Sequence, residues 1–216
     1  MVIEVIAVAY DGYAKYIKQF LRFIELQSVQ PNKITIVCGR KHGLNQDIPG
    51  INIIHDNKEP AIGRLLNIAL DQSTADYVLA PDIDDVILPN AIEEIKKVKA
   101  DVILCDYFAR KGTETKILQT FNPLEQKNYY GKPGYYAFRR LARYQDHDYR
   151  DIPMLLSLAT AGATFGKTKV PVFFYTQNKE GHAVKYADKR PLAAKLLKEA
   201  YKQHEAENHP RGVDRT

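Results

Sequence analysis

The 216-residue chain lacks the features that mark several large classes of protein. It has only two cysteines, Cys38 and Cys105, each at the end of an apolar run, so we expect core thiols rather than a disulfide or a zinc site. No apolar run approaches the roughly 20 residues that a membrane-spanning helix needs. The first residues lack the basic segment, apolar core and cleavage site of a secretory signal. These absences favour a reducing, cytoplasmic compartment, and the length of 216 residues favours a single domain.

Two common nucleotide-binding signatures are also missing. No G-x-G-x-x-G motif follows the first apolar run, which argues against a dinucleotide-binding fold. The absence of G-x-x-x-x-G-K-[ST] argues against a P-loop. The net charge of +5 suits an anionic ligand, but it is spread along the chain. Because the lysines and arginines form no recognisable motif, we expect no nucleic-acid partner.

The first half of the chain alternates predicted strands and helices. Apolar runs predict the strands, and apolar residues at helical spacing predict the helices. Such alternation requires crossover connections, so it predicts an α/β fold with a mostly parallel central sheet flanked by helices. The predicted strands are Val2–Ala9, Lys33–Cys38, Ile51–His55, Asp76–Ala80 and Asp101–Asp106, and the helices lie at 13–24, 61–72 and 89–98.

The second half is less regular. Residues 129–136 are rich in tyrosine, glycine and proline, which is typical of a loop. The remaining predictions are a strand at 115–121, the start of a basic helix at 137–144, a helix at 151–161, a strand at 170–175, a terminal helix at 190–204 and a frayed tail from 208 onward.

The most informative segment is Asp82-Ile83-Asp84-Asp85, which Pro81 separates from the end of the fourth predicted strand. Three neighbouring carboxylates repel one another unless they are solvated or a cation lies among them. Ligands of α/β sheets usually bind at the carboxyl ends of the strands. Carboxylate oxygens there suit Mg²⁺ or Mn²⁺ shared with a substrate phosphate. The alternative is a solvated turn that caps the helix beginning at Pro89.

Several short segments together carry a resemblance to a known family. They are Val8-Ala9-Tyr10-Asp11, residues 65–69, 80–85, 137–140, 150–156 and 170–175. This ordered set resembles the family-2 glycosyltransferases, which have the GT-A fold, and it covers most of residues 1–182. The resemblance implies transfer of a sugar, with inversion, from a nucleoside diphosphate sugar to a carbohydrate or other hydroxyl acceptor. A UDP-sugar is the favoured donor.

The same resemblance implies an organisation and a site. It divides one GT-A-like domain at 1–207 into a nucleotide-sugar-binding half (1–106), an acceptor and catalytic half (107–188) and a C-terminal helix (189–207), followed by a flexible tail (208–216). Implied donor contacts are Ala9, Tyr10, Asp11, Arg64, Asn67, Asp82 and Ile83. The implied ligands of Mn²⁺ or Mg²⁺ are Asp84 first, then Asp82, Asp85 and His182.

Asp151 is the implied catalytic base, with Asp146 and Asp148 as alternatives. Its position at a predicted helix start is equally explained by N-capping. The tyrosines at 129, 130, 135 and 136 either stack on acceptor sugars or pin their loop to the core.

Departures from the family pattern leave two other functions open. Cys38-Gly39-Arg40 stands where the family often has an aspartate, Leu66 replaces an arginine, and Arg150 replaces the glutamate of a Glu-Asp pair. These changes are compatible with a nucleotide-sugar- or carbohydrate-binding module that has lost catalysis. A nucleotidyltransferase is the other alternative, but residues 10–13 lack the glycine-rich basic loop usual in that class.

Overall fold

The computed structural model describes residues 1–10, 12–39, 48–56, 58, 61–111, 113–122, 134–139, 143–144, 151–176, 195, 198–199 and 201–202. Its strands are β1 (Ile3–Ala9), β2 (Lys33–Cys38), β3 (Asn52–His55), β4 (Tyr77–Leu79), β5 (Val86–Ile87), β6 (Val102–Cys105), β7 (Tyr107–Lys111), β8 (Glu114–Leu118), β9 (Tyr135–Arg139), β10 (Phe165–Lys167) and β11 (Phe173–Tyr175). Its helices are α1 (Ala14–Glu25), α2 (Ile62–Gln72), α3 (Ala91–Lys96) and α4 (Asp151–Thr160). None of these described helices has the length and apolarity that a bilayer span requires.

Seven strands of the described chain form a central sheet in the order β10-β6-β9-β4-β1-β2-β3. The β1–β2, β1–β4, β2–β3 and β6–β10 pairings are parallel. Strand β9 lies between β4 and β6 and runs antiparallel to both. The predicted α/β fold, a single domain with a mostly parallel central sheet, is confirmed.

Helices cover both faces of the central sheet. Successive side chains of a strand point to opposite faces, and β1 illustrates the division. Val5 and Ala7 pack in the cluster that contains the apolar residues of α1 and α3. Ile6 and Val8 pack in the cluster that contains those of α2 and α4. Burial on both faces explains why β1 is a nearly continuous apolar run.

Glu4 interrupts that apolar run with a buried carboxylate, which is fully enclosed. The hydroxyls of Thr35 and Ser73 each donate a hydrogen bond to its oxygens, and Lys33 Nζ lies 3.4 Å from Oε1. A buried charge is tolerated only when it is paired and hydrogen-bonded. This network therefore joins β1, β2 and the segment that follows α2.

A second sheet packs beside the first in the order β5-β11-β7-β8. Strand β5 pairs antiparallel with β11, and β11 pairs parallel with β7. Because β5 begins directly after the segment Asp82-Ile83-Asp84-Asp85, this acidic turn connects the two sheets. Cys38 and Cys105 are free and buried, as predicted.

The prediction of a helix that starts at residue 137 is wrong for residues 137–139, because they belong to strand β9, Tyr135–Arg139. The segment is aromatic and apolar, which favours a strand, and its backbone fills the gap between β4 and β6. Of the loop predicted at 129–136, the last two residues belong to β9, while residues 129–133 lie outside the described ranges.

Other elements of the second half also differ from prediction. The strand predicted at 115–121 is β8, Glu114–Leu118. Strands β5, β7 and β10 were not predicted. Strand β5 has two residues and β10 three, too few to show a periodic pattern.

Gly134 sets the start of β9 and yields a first testable prediction. Its φ is +112°, and an added Cβ would lie 2.0 Å from Thr120 Oγ1 and 2.7 Å from Thr120 Cβ. We expect Gly134→Ala to lower the free energy of unfolding by more than about 2 kcal/mol in urea titrations, because a left-handed backbone alone costs roughly 1–2 kcal/mol with a Cβ. Gly162→Ala is the control, since its φ of +81° brings strain but its Cβ meets nothing within 4 Å. Equal losses in the two variants would contradict this explanation.

Candidate active site

The carboxyl ends of the parallel strands define one edge of the central sheet. Strand β4 ends at Leu79 and leads into the acidic turn, and β6 ends at Cys105. Strand β9 runs in the opposite direction, so it begins at this edge, where Tyr135 pairs with Cys105. The start of β9 and the acidic turn are therefore brought together.

A small cavity opens between these segments. Its walls are Leu79, Ala80, Pro81, Asp82, Gly134, Tyr135, Tyr136 and Asp151. Two of the residues singled out from the sequence, Asp82 and Asp151, are thus on one cavity although they are far apart along the chain. Both carry carboxylates, and the cavity, of about 10 Å³, has room for a single water-sized group. It can therefore accept a cation, a proton or a hydroxyl group, but not a whole sugar.

Asp151 is held by a tyrosine. It is the first residue of α4, where the partial positive charge of a helix N-terminus stabilises an anion. The Tyr136 hydroxyl donates a hydrogen bond to Asp151 Oδ1. This contact fixes one oxygen of the carboxylate against β9.

Asp85 is held more tightly and is only 2 % exposed. Its Oδ2 accepts a hydrogen bond from the Tyr135 hydroxyl, and its Oδ1 accepts one from the Thr176 backbone N–H at 2.9 Å. The Asp85 backbone N–H donates to the Asp82 carbonyl at 3.1 Å, which closes the turn. This arrangement favours an orienting role for Asp85, because both of its oxygens already accept hydrogen bonds.

The hydroxyl of Tyr135 is a stable donor to Asp85. Burial, followed by the negative charges of Asp85 and Asp82, raises the pKa of Tyr135 well above its usual value. The Tyr135 ring stacks on Phe173 at 4.2 Å between centroids. The phenol therefore stays protonated and fixed, and it ties the acidic turn to both sheets.

Asp82 and Asp84 are the partly exposed carboxylates of the turn. No group of three metal-ligating side chains occurs among the residues that the structure describes, and His182 lies outside them. Mg²⁺ is usually held by one or two carboxylates together with substrate phosphates and water. Two accessible carboxylates at this edge fit that mode of binding.

Most of the predicted donor contacts around β1 are buried. Ala9 and Ile83 are enclosed in the core, and the Ala9 carbonyl accepts a hydrogen bond from the Gly39 N–H at 2.8 Å, so the predicted donor contacts of these two residues stay predictions. Tyr10 is also buried and stacks on Tyr13, with ring centroids 5.1 Å apart. Asp11, Asp146 and Asp148 lie outside the described residues.

Arg64 forms an ion pair with Asp56, a residue that the sequence analysis did not single out. Burial acts to raise the pKa of Asp56, but hydrogen bonds from Arg64 and from the Lys58 backbone outweigh it and lower that pKa. Asp56 directly follows β3, and Asp82 comes three residues after the end of β4. An aspartate just after a predicted strand was therefore the sequence signal that could have pointed to Asp56. Arg64 therefore lies at the same edge with its guanidinium held by a carboxylate.

Asn67 holds the backbone of the chain ahead of α4. Its side-chain amide donates to the Tyr144 carbonyl at 2.8 Å and its oxygen accepts from the Tyr144 N–H at 2.9 Å. These contacts give Asn67 a clear structural role. Its predicted contact with the donor stays a prediction.

A larger cavity, of about 700 Å³, lies at the opposite edge of the sheet. Its walls include Tyr77, Asp101 and Arg139, and Arg139 Nε lies 2.8 Å from Asp101 Oδ1. It contains none of the predicted site residues. We therefore assign the candidate active site to the smaller cavity, where the acidic turn and Asp151 meet.

Comparisons with known proteins agree with this architecture. No protein-family model and no curated protein sequence matches the chain. The structure of S. aureus TarS 1–349 in complex with UDP-GlcNAc is similar, with a TM-score of 0.66 and 17% identity over 99% of this chain and 68% of that one. Glucosyl-3-phosphoglycerate synthase from Mycobacterium tuberculosis, in complex with Mn²⁺, UDP and phosphoglyceric acid, gives 0.61 and 14% over 94% and 78%.

Both of these structures are GT-A glycosyltransferases. The chain has the GT-A fold. The resemblance to family-2 glycosyltransferases that the sequence indicated is thus confirmed at the level of the fold.

The contact between Tyr135 and Asp85 leads to a prediction on stability. We expect Tyr135→Phe to lower the free energy of unfolding by about 2–3 kcal/mol at pH 7, because a buried carboxylate loses one of its donors. Tyr77→Phe is the control: it removes a buried hydroxyl that donates to the neutral Ala100 carbonyl at 2.7 Å and accepts a long hydrogen bond of 3.4 Å from Arg139 Nε, at a cost of about 1 kcal/mol. Chemical denaturation measures both losses.

The same variant has a predictable pH dependence. Since the pKa of Tyr135 is raised in the folded protein, its contribution to stability is complete below the unfolded pKa of about 10 and declines as the pH rises above it. The stability difference between the wild type and Tyr135→Phe should therefore shrink above about pH 10. A constant difference up to pH 11 would contradict the assigned contact.

Proposed function

We propose that the protein is a glycosyltransferase that moves a sugar from a nucleoside diphosphate sugar, preferably a UDP-sugar, to an acceptor hydroxyl with inversion. The observation that carries the proposal is the single cavity shared by Asp82 and Asp151 at the carboxyl edge of a GT-A sheet. The bound ligands of the two similar structures, UDP-GlcNAc in one and UDP with Mn²⁺ in the other, support this choice of donor.

The donor end of the reaction depends on the acidic turn. Asp82 and Asp84 would hold Mn²⁺ or Mg²⁺, which when bound neutralises the charge of the departing diphosphate. Asp85 keeps the turn in place through Tyr135 and Thr176. The nucleoside would lie along the end of β1 near Tyr10.

The acceptor end of the reaction depends on Asp151. Its carboxylate takes the proton from the acceptor hydroxyl as that oxygen attacks the anomeric carbon. The bond between the anomeric carbon and the phosphate oxygen breaks, and its electron pair leaves with the diphosphate. A single displacement of this kind inverts the configuration at the anomeric carbon.

We also propose a reducing compartment, such as the cytoplasm, as the place of this activity. Cys38 and Cys105 are both free. Burial raises the pKa of the Cys38 thiol to about 11, which keeps it protonated and unreactive.

Donor binding can be tested by thermal unfolding with a panel of nucleotides and nucleoside diphosphate sugars, each with and without Mn²⁺. A ligand that binds only the folded state at 100 times its Kd adds about 2.7 kcal/mol of stability. We expect a uridine diphosphate to raise the melting temperature in a Mn²⁺-dependent way. Asp84→Ala should abolish the shift, while Asp71→Ala, which removes an exposed carboxylate of α2, should retain it. No shift with any nucleotide would refute the proposed donor site.

Asp151→Asn tests the catalytic base. Removal of a general base reduces the rate by about 10²–10⁴-fold, so we expect turnover to fall by at least 100-fold while the donor-induced shift in melting temperature persists. Unchanged turnover would exclude Asp151 as the base and leave Asp146 and Asp148 as the candidates for that role. A wild type that binds the donor but never turns it over would instead be the binding module.

A further inference from the structure

We propose that Tyr136 is a positioning residue for the catalytic base: it holds Asp151 Oδ1 and so directs Oδ2 toward the acceptor hydroxyl. The inference rests on the proposed function, because it takes Asp151 to be the base. It adds a second residue to the acceptor side of the reaction and assigns that residue a role distinct from sugar stacking.

The position of the Tyr136 hydroxyl is fixed by the sheet. Tyr136 lies in β9, where it pairs with Leu104 of β6, and its neighbour Ala137 pairs with both Leu79 and Ile103. The Tyr136 side chain is only 7 % exposed, and its ring lies 6.0 Å from that of Phe138. A hydroxyl held in this way has little freedom to follow a moving partner.

Asp151 needs a rigid hydrogen-bond donor, because the side-chain torsions of an aspartate do not by themselves fix the orientation of its carboxylate. The terminal torsion of an aspartate is broad, so helix α4 alone does not select which oxygen faces the cavity. Within the described residues, the hydrogen bond from Tyr136 is the one that the Asp151 side chain accepts. Occupying Oδ1 leaves Oδ2 to take the proton, and reacting groups held in the correct geometry gain a large rate advantage.

The neighbouring tyrosine cannot replace Tyr136. Successive side chains of a strand point to opposite faces, and Tyr135 accordingly packs in the core cluster on the other face. There it donates to Asp85. The hydrogen bonds from the two hydroxyls therefore reach different acids, Asp85 and Asp151, which separates the expected effects of the two phenylalanine variants.

Thermal unfolding without ligand tests the contact itself. We expect the melting temperature lost in the double variant Tyr136→Phe/Asp151→Ala to be smaller than the sum of the losses in the two single variants, because they remove the same hydrogen bond. Tyr77→Phe combined with Asp151→Ala should be additive, since the Tyr77 hydroxyl donates to Ala100 at the opposite edge. Additive losses for the first pair would overturn the proposal, whether or not any donor binds.

Steady-state transfer kinetics test the role. We expect Tyr136→Phe to lower kcat about 10- to 100-fold with the donor KM unchanged, and Tyr77→Phe to leave both unchanged. In an Asp151→Asn background, Tyr136→Phe should reduce kcat no further, because the base it positions is gone. An equal reduction in both backgrounds would show that Tyr136 acts independently of Asp151 and overturn the proposal.

The two proposals fail in different ways. If the wild type binds no nucleoside diphosphate sugar, the proposed function is refuted. The melting temperatures of the single and double variants still show whether Tyr136 and Asp151 are coupled. If they are coupled but Asp151→Asn transfers sugar at the wild-type rate, the positioning role is refuted while donor binding stands.

Discussion

The reversed direction of β9 is the constraint on which the site depends. The strands beside it, β4 and β6, end at one edge, and β9 begins there because it is antiparallel to both. That reversal delivers two tyrosine hydroxyls, on successive residues, to the edge where carboxylates gather. Since successive side chains alternate faces, one hydroxyl meets Asp85 and the other meets Asp151. Two acids in separate elements are thereby positioned by a single strand.

Burial separates three aspartates that look equivalent in the sequence. A buried carboxylate is tolerated when hydrogen bonds replace its lost hydration, and Asp85 has such bonds from Tyr135 and from the Thr176 backbone. Asp82 and Asp84 remain partly exposed, so they keep access to solvent and to a ligand. The turn thus contains one supporting acid and two candidates for binding a cation, and the support comes from residues far away in the chain.

The sequence predicted the elements whose signal is local. Strand β1 is a long apolar run and helix α1 has its apolar residues at helical spacing, and both are found close to where they were predicted. Strand β9 was predicted as the end of a loop and the start of a helix, although its aromatic and apolar residues favour a strand. Its place between β4 and β6 depends on pairings that lie outside any local window. The same reason applies to the Arg64–Asp56 ion pair, since apolar periodicity carries no information about which polar side chains will meet. The Tyr136–Asp151 contact was missed because the two residues stand in a strand and a helix whose packing only the folded chain defines.

Register links the stability of the fold to the geometry of the site. Thr120 Oγ1 donates to the Cys105 carbonyl and accepts from the Tyr135 N–H at 3.1 Å, with Gly134 packed against it. These contacts define where β9 starts. A slip of one residue would turn every side chain of the strand to the other face, so Tyr135 and Tyr136 would lose Asp85 and Asp151 together. The close packing of Gly134 against Thr120 therefore maintains the geometry of the candidate active site as well as the register of the sheet, although neither residue has a carboxylate of its own.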